Sequence, residues 1–266
     1  MYFVAHIKLS YDFNKNWRVA TFGSYLYGST ENGQFCPTWV WAQGNVYRGE
    51  FKKEEWLGNV SLDFNKEFGI HKVSAGVSSE YRKLRKTAFW VYAKGIPTND
   101  FHYDNLGATA ARPYGGTEST YEDQSLASVM GSITYNLLDR YTLAVNARGD
   151  GSSMVGDNNT WGFFPSVSFT WDMKKESFLA NIKPLSMLKL RTGLGQAGNL
   201  GGISAYTTMN TVRQTGIVPV KNSPTVTLGM VRNNNPDLKW ETKTTFNLGA
   251  DIGLFANRLM LTAEYY

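Results

Sequence analysis

Histidine is the side chain best suited to hold a metal or move a proton near neutral pH, and this chain has three, His6, His71 and His102. Their separations match no metal-ligand spacing. His6 and His71 fall in stretches that read as strands, where a hydrogen-bonded or cavity-lining role is simpler than catalysis. The single cysteine, Cys36, excludes an internal disulfide and a thiolate metal site and reads as an incidental loop residue. Glu54/Glu55 and Glu122/Asp123 are adjacent carboxylates. Neighbours along a strand point to opposite faces, which is poor geometry for a two-carboxylate glycosidase. No GxSxG, P-loop or HExxH string occurs. Gly195 to Gly202, "GQAGNLGG", has neither the dinucleotide-binding glycine spacing nor a following helix, and reads as a sharp turn. The expectation is a protein that is not an enzyme, with no catalytic residues, no metal and no cofactor.

Three other stretches invite a binding role. "RGD" at Arg148 to Asp150 is a short, weak motif that ends a strand, with glycine helping the turn. "YRKLRK", Tyr81 to Lys86, is the one dense basic run. No nucleic-acid module surrounds it, so it reads as a solvated strand end, with no nucleic-acid partner expected. Trp39, Trp41 and Tyr47 lie in a long loop, "CPTWVWAQGNVYRGEF". Their faces could stack on a sugar or a peptide, or the loop could pack on itself.

The elements that must position these residues read as β throughout. Aromatics make up 14 % of the 266 residues, and there are 26 glycines. Charged residues reach only 18 %, below the usual quarter, and the formal net charge is +5. No run approaches the roughly 18 apolar residues of a transmembrane helix. The opening "MYFVAHIKLSYDF" lacks a basic leader, a long apolar run and a small-residue cleavage site. An exported barrel needs such a signal, so the expectation is either no export or a chain that begins inside a longer one.

Strict alternation recurs. In "WGFFPSVSFTW", Phe163, Pro165, Val167, Phe169 and Trp171 alternate with Ser166, Ser168 and Thr170. Similar alternation marks "WLGNVSLDF", "HKVSAGVSSEY", "YTLAVNARGD" and "FNLGADIGL". About ten such segments are expected, near 2–12, 17–28, 54–64, 70–84, 123–137, 141–150, 161–172, 187–196, 239–254 and 258–266, each long for a soluble strand. Tight turns are expected at 13–17, 65–69, 137–140 and 255–258, and long polar connections at 29–53, 85–122, 151–160 and 197–238. The link at 173–186 suits a brief amphipathic helix with Phe178, Leu179 and Ile182 on its apolar side. Phe13, Trp17, Phe64, Phe68, Tyr135, Tyr141, Phe255 and Tyr265 gather near the short turns, as an interfacial girdle would.

Two longer strings carry a specific resemblance. They are "NARGDGSSMVGDNNTWGFFPSVSFTWDMKKESFL", followed by "LSMLKLRTGLGQAGN", and "NNNPDLKWETKTTFNLGADIGLFANRLMLTAEYY". Together they resemble the barrel of the SusC/RagA family of TonB-linked outer-membrane transporters. The matching residues are Asp150 to Ser153, Trp161 to Ser166, Leu188 to Asn199, Asn235 to Glu241 and Leu254 to Tyr266. The resemblance implies an all-β fold: a partial antiparallel transmembrane β-barrel, about ten strands out of about 22, with short periplasmic turns and long extracellular loops. It implies that residues 1–266 are an internal barrel region, with signal, plug and C-terminal strands lying outside them.

The same resemblance implies TonB-dependent import of a large nutrient, an oligosaccharide or a peptide, across the outer membrane of a Gram-negative bacterium of the Bacteroidota. The implied partners are a SusD-like surface lipoprotein, the TonB complex acting through the plug, and outer-membrane lipid. On this reading Ser74, Ser78, Asn146, Ser166, Ser168, Thr170, Asn247 and Asp251 face the lumen. Val73, Val77, Val145, Val167, Phe169, Leu248 and Ile252 face lipid. Trp39, Trp41 and Tyr47 are candidate substrate contacts. Two other architectures fit the alternation, a complete small outer-membrane porin or structural barrel and a soluble carbohydrate-binding β-sandwich.

Overall fold

The computed structural model describes every residue except Tyr114 and Asn222, which lie within the connections expected at 85–122 and 197–238. The strands are β1 (Tyr2–Asp12), β2 (Trp17–Cys36), β3 (Asn45–Phe68), β4 (His71–Lys94), β5 (Thr117–Leu137) and β6 (Tyr141–Ser152). They continue with β7 (Trp161–Asp172), β8 (Leu185–Asn199), β9 (Thr211–Val220), β10 (Ser223–Arg232), β11 (Glu241–Leu254) and β12 (Leu259–Tyr265). A one-turn helix, α1 (Ser177–Ala180), lies between β7 and β8. Ten strands form one sheet in the order β1-β2-β3-β4-β5-β6-β7-β8-β11-β12, while β9 and β10 pair only with each other.

The all-β architecture of ten long strands is the one expected, and the other two architectures are overturned. β1 and β12 are the two edges of the sheet, so it is not a closed small barrel. Val145, Val167 and Phe246 keep 47 %, 42 % and 50 % of their surface exposed, so no second layer covers the apolar face as a sandwich requires.

The strands extend beyond the expected limits. β2 runs to Cys36 rather than 28, β3 begins at Asn45 rather than 54, β4 reaches Lys94 rather than 84, and β5 starts at Thr117 rather than 123. The extensions break the strict alternation: Glu31 with Asn32 and Gly33 interrupts the end of β2, Arg48, Glu50 and Lys52 share one face of β3, and Phe89 to Ala93 in β4 are apolar on both faces. The turn expected at 65–69 is the two-residue link Gly69–Ile70, with Gly69 at φ +59, so the strand continues through Phe68. Leu138 and Asp139 also adopt left-handed backbone, and the Asn136 side chain accepts a 3.0 Å hydrogen bond from the Asp139 N–H.

The chain forms two compact units. The first comprises Met1–Ile7, Gly23–Gly58 and Arg82–Ser125. Val46, Leu84, Val91 and Ala93 are buried in it. Charges alternate across its strands: Arg82 donates to Glu55 at 2.6 Å, and Arg85 lies 3.7 Å from both Glu54 and Asp123.

The second unit comprises Lys8–Phe22, Asn59–Tyr81 and Leu126–Tyr266. Two ties hold its connections. At the short-turn end, Glu176 accepts hydrogen bonds from the Tyr141 hydroxyl (2.6 Å), Trp171 Nε1 (3.1 Å) and Arg140 (3.1 Å). Lys174 Nζ donates to the carbonyls of Leu179, Ala180 and Ile182 at 2.9–3.2 Å, capping α1. The amphipathic helix expected here is therefore a single turn. Phe178 is 63 % exposed, and polar ties rather than apolar packing hold the link.

At the long-loop end, the segment after β6 is clasped to the one before β11. Gly156 N–H donates to the Leu238 carbonyl at 2.8 Å, Asn158 to the Asp237 carboxylate at 2.8 Å, and Trp240 Nε1 to the Thr160 carbonyl at 3.3 Å. Phe164, 7 % exposed, fills the space over Gly162 and Gly198 and meets Trp240 edge-on at 5.4 Å. Pro165 fits inside the sheet because β7 pairs with β8 only from Ser166 onward, so the ladder ends beside the missing N–H.

Gly198→Val places a side chain inside the Phe164 ring, and the expected cost is about 1–3 kcal/mol. A lowered temperature for loss of the folded, heat-modifiable form on a gel would show it; an unchanged temperature refutes the clasp. The bonds from Tyr141 and Trp171, with Arg140 alongside, hold the Glu176 carboxyl below its ordinary range. Its folded value lies below its unfolded one, so the tie is fully present above the unfolded value and is lost as pH falls through the folded value. Limited proteolysis between 173 and 184 is expected to accelerate on acidification below about pH 4.5. Glu176→Gln is expected to cleave fast at every pH.

Candidate functional site

Register turns single-strand alternation into rows across the sheet. One row is Ile133, Val145, Val167, Leu194 and Phe246, each directly opposite the next. The neighbouring row is Ser132, Asn146, Ser166, Gly195 and Thr245. One face of β5 to β11 is therefore bulky and apolar, and the other is small, hydroxylated and amidic.

The predicted polar positions share that second face. Asn146 Nδ2 donates to Ser166 Oγ at 3.3 Å. Ser168 and Asn247 flank Gly193, where a Cβ would meet Asn247 Oδ1 at 2.9 Å. Thr170 stands between Thr142 and Arg191. Gly76 sits against Asp63 and Ser132, which places Ser74 and Ser78, two residues to either side, on the same face.

Asp251 accepts from Arg191 at 2.8 and 3.1 Å and from the Thr262 hydroxyl at 3.0 Å, and Arg191 also reaches Glu264 at 2.7 Å. Arg191 and Glu264 were not legible as site residues, because only the β8–β11–β12 register brings them to Asp251. With Arg191 40 % and Asp251 19 % exposed, such a pair contributes about 0–1 kcal/mol. Its larger effect is to set the charge pattern of the face.

The remaining candidates separate. Trp39 is 76 % exposed and Trp41 40 %, in the turn after β2, with Lys94 Nζ 5.2 Å from the Trp41 ring centroid. Tyr47 is not in the loop but in β3, and shares no ring contact with either tryptophan among the described residues. The "RGD" string is not presented for adhesion: Arg148 binds Asp150 at 2.7 and 2.8 Å and Ser128 at 2.9 Å, and Asp150 is 7 % exposed. Glu54 and Glu55 turn to different cations, as do Glu122 and Asp123. His71 lies 2.6 Å from the Tyr135 hydroxyl, and His102 meets Phe35 edge-on at 5.0 Å.

A feature absent from the sequence reading is the hairpin β9–β10 inside the connection read as a polar loop. Its register puts Ile217 opposite Val226 and Val212 opposite Met230, with Leu228 between. All five are more than half exposed, from 52 % to 66 %. Pro219 and Pro224 pair on the same face. The two prolines broke the strand signal, yet a two-stranded ribbon has only edges, where proline is tolerated.

A family model described as "TonB dependent receptor-like, beta-barrel" matches residues 3–266. TonB-dependent receptor P3 of Formosa agariphila is 32 % identical over 271 residues, covering 98 % of this chain and 26 % of that protein. TonB-dependent receptor SusC of Bacteroides thetaiotaomicron is 36 % identical over 137 residues, 51 % of this chain and 14 % of that protein. The "RagAB peptide transporter" structure superposes with a TM-score of 0.85 at 19 % identity, over 98 % of this chain and 29 % of that one, a likeness of fold. The chain spans about a quarter of the length of the curated relatives it matches from end to end. With the match running from residue 3 to residue 266, the chain belongs to the TonB-dependent receptor β-barrel family.

Proposed function

We propose that this chain supplies barrel wall and outer loops to a TonB-dependent transporter of the outer membrane in a member of the Bacteroidota. The single observation that carries the reading is the two-faced register. The apolar face turns to hydrocarbon, and the face bearing Ser74, Ser78, Asn146, Ser166, Ser168, Thr170, Asn247 and Asp251 lines a wet lumen. Along β4 the outward positions run His71, Val73, Ala75, Val77, Ser79 and Tyr81 before charge begins at Lys83. Ten steps of ~3.3 Å at a tilt of about 40° span ~25 Å, the height of an outer-membrane apolar band. An aromatic ring marks the short-turn end, with Trp17 on Phe64 at 4.7 Å, Phe68 on His71 at 5.2 Å and Tyr141 on Trp171 at 6.1 Å.

The cargo is a large oligosaccharide or peptide. The similar RagAB is a peptide transporter, and the polar face here offers hydroxyls, amides and charges of both signs suited to either. Trp39, Trp41 and Tyr47 are proposed contacts for it beyond the membrane. The partners are a SusD-like lipoprotein at the long-loop end and TonB acting through a plug. The β9–β10 hairpin supports the first. A lone two-stranded ribbon is marginal in water, and its bare apolar face calls for a protein cover.

Two measurements check this reading in the full-length protein with Cys36→Ser. Cysteines at Ser166 and Ser168 are expected to react with a charged thiol reagent at least about tenfold faster than those at Val167 and Phe169, since hydrocarbon suppresses the thiolate. Equal or reversed rates remove the assignment. Leu228→Asp with Met230→Asp is expected to cut recovery of the co-purifying lipoprotein about tenfold or more, as loss of two buried apolar anchors would, while barrel yield stays constant. Undiminished recovery removes the hairpin from that interface.

A further inference from the structure

The outward apolar face is hollow over β2 to β6. Ala75, Gly131 and Ala147 form a floor of small residues, with Gly131 directly opposite Ala147 and nothing within 4 Å of where a Gly131 Cβ would stand. Trp17, Phe64, Ile133 and Val145 stand up around them. The hollow is a groove of about 500 Å³ whose lining is almost wholly carbon. Five strands at ~4.8 Å spacing make it ~19 Å long, the scale of an extended acyl chain.

The groove lies toward the short turns. Its Trp17–Phe64 wall is part of the aromatic ring there. Two residues past Phe64 on the same face comes Lys66, exposed, with its ammonium 6.0 Å from the Phe68 ring centroid. No carboxylate lies within ion-pair distance of it among the described residues, whereas nearby Lys72 is held by Asp139 at 2.8 Å. An apolar channel of acyl length thus ends beside a free cation at headgroup depth.

From this juxtaposition we infer that the groove seats one acyl chain of a glycerophospholipid from the leaflet at the short-turn end, with the lipid phosphate against Lys66. The inference rests on the proposed orientation of the apolar face toward hydrocarbon. Small floor residues let the chain sink below the level of the surrounding side chains, so it gains van der Waals contacts on three sides that a bulk lipid lacks. The lysine adds a charge-assisted contact to the lipid phosphate.

The test uses the full-length protein in phosphatidylethanolamine vesicles doped with phosphatidylethanolamine bearing a diazirine on one acyl chain. After irradiation, label mapped by mass spectrometry is expected to concentrate on peptides containing Ala75, Ile133 and Val145 over those containing Val167 and Phe169. Gly131→Leu with Ala147→Leu fills the floor and is expected to lower groove labelling about tenfold, the scale of about two methylene groups denied burial. Lys66→Glu lies outside the groove, leaves its shape intact and is expected to lower that labelling several-fold by charge repulsion. Equal labelling of the groove and of Val167 and Phe169 overturns the acyl site, and labelling indifferent to Lys66→Glu overturns the phosphate contact. Label on Ser166 and Ser168 in place of Val167 and Phe169 instead refutes the orientation on which the inference rests.

Discussion

A backbone amide in hydrocarbon has no water to bond, so each N–H and C=O must find a partner in the protein. In a sheet that partner is the adjacent strand, and pairing forces side chains alternately to opposite faces. Between its two edges the ladder from β1 through β8 to β11 and β12 meets the demand, and the row Ile133–Val145–Val167–Leu194–Phe246 beside Ser132–Asn146–Ser166–Gly195–Thr245 is its consequence. Once adjacent strands share register, one face can meet lipid while the other meets water. Few large side chains are buried among the described residues.

Where the constraint relaxes, the sequence changes character before the structure does. β3 and β4 continue as paired strands through Lys52–Glu55 and Arg82–Lys86 with charge on both faces. Ion pairs such as Arg82–Glu55 and Arg85–Asp123 replace the apolar half of the alternation. The hairpin β9–β10 is the converse case, an apolar face built outside the sheet. The clasp from Gly156 and Asn158 to Leu238 and Asp237 anchors the chain between β6 and β7 to the start of β11. Three of the five strings that carried the family resemblance, "DGSS", "WGFFPS" and "NPDLKW", meet around this clasp, through Ser152 N–H and Trp240 Nε1 on the Thr160 carbonyl and Phe164 against Trp240.

Legibility followed the same line. β6 and β7 were readable almost to the residue, since Tyr141–Ser152 and Trp161–Asp172 must present one apolar and one polar face. The strand extensions were read as loops because strict two-residue alternation stops there, at charges such as Arg48, Glu50 and Lys52 and at the continuous apolar run Phe89 to Ala93. Residues 211–232 were read as a loop because Pro219 and Pro224 mask a ribbon with no interior strand. Of the candidate site, the serines and asparagines of the polar face were legible from alternation, but Arg191 and Glu264 were not. They stand 73 residues apart and meet only across β11.

By itself the sequence determined which side chains share a face within each strand and where the tight turns fall, because both follow from a period of two and from local backbone preference. Tertiary structure decided what no single strand contains: which polar group faces which, where Glu176 fastens its link, and where Ala75, Gly131 and Ala147 line up into a groove. Register is set between strands distant in sequence, and side-chain volumes from several strands add up only once they lie side by side.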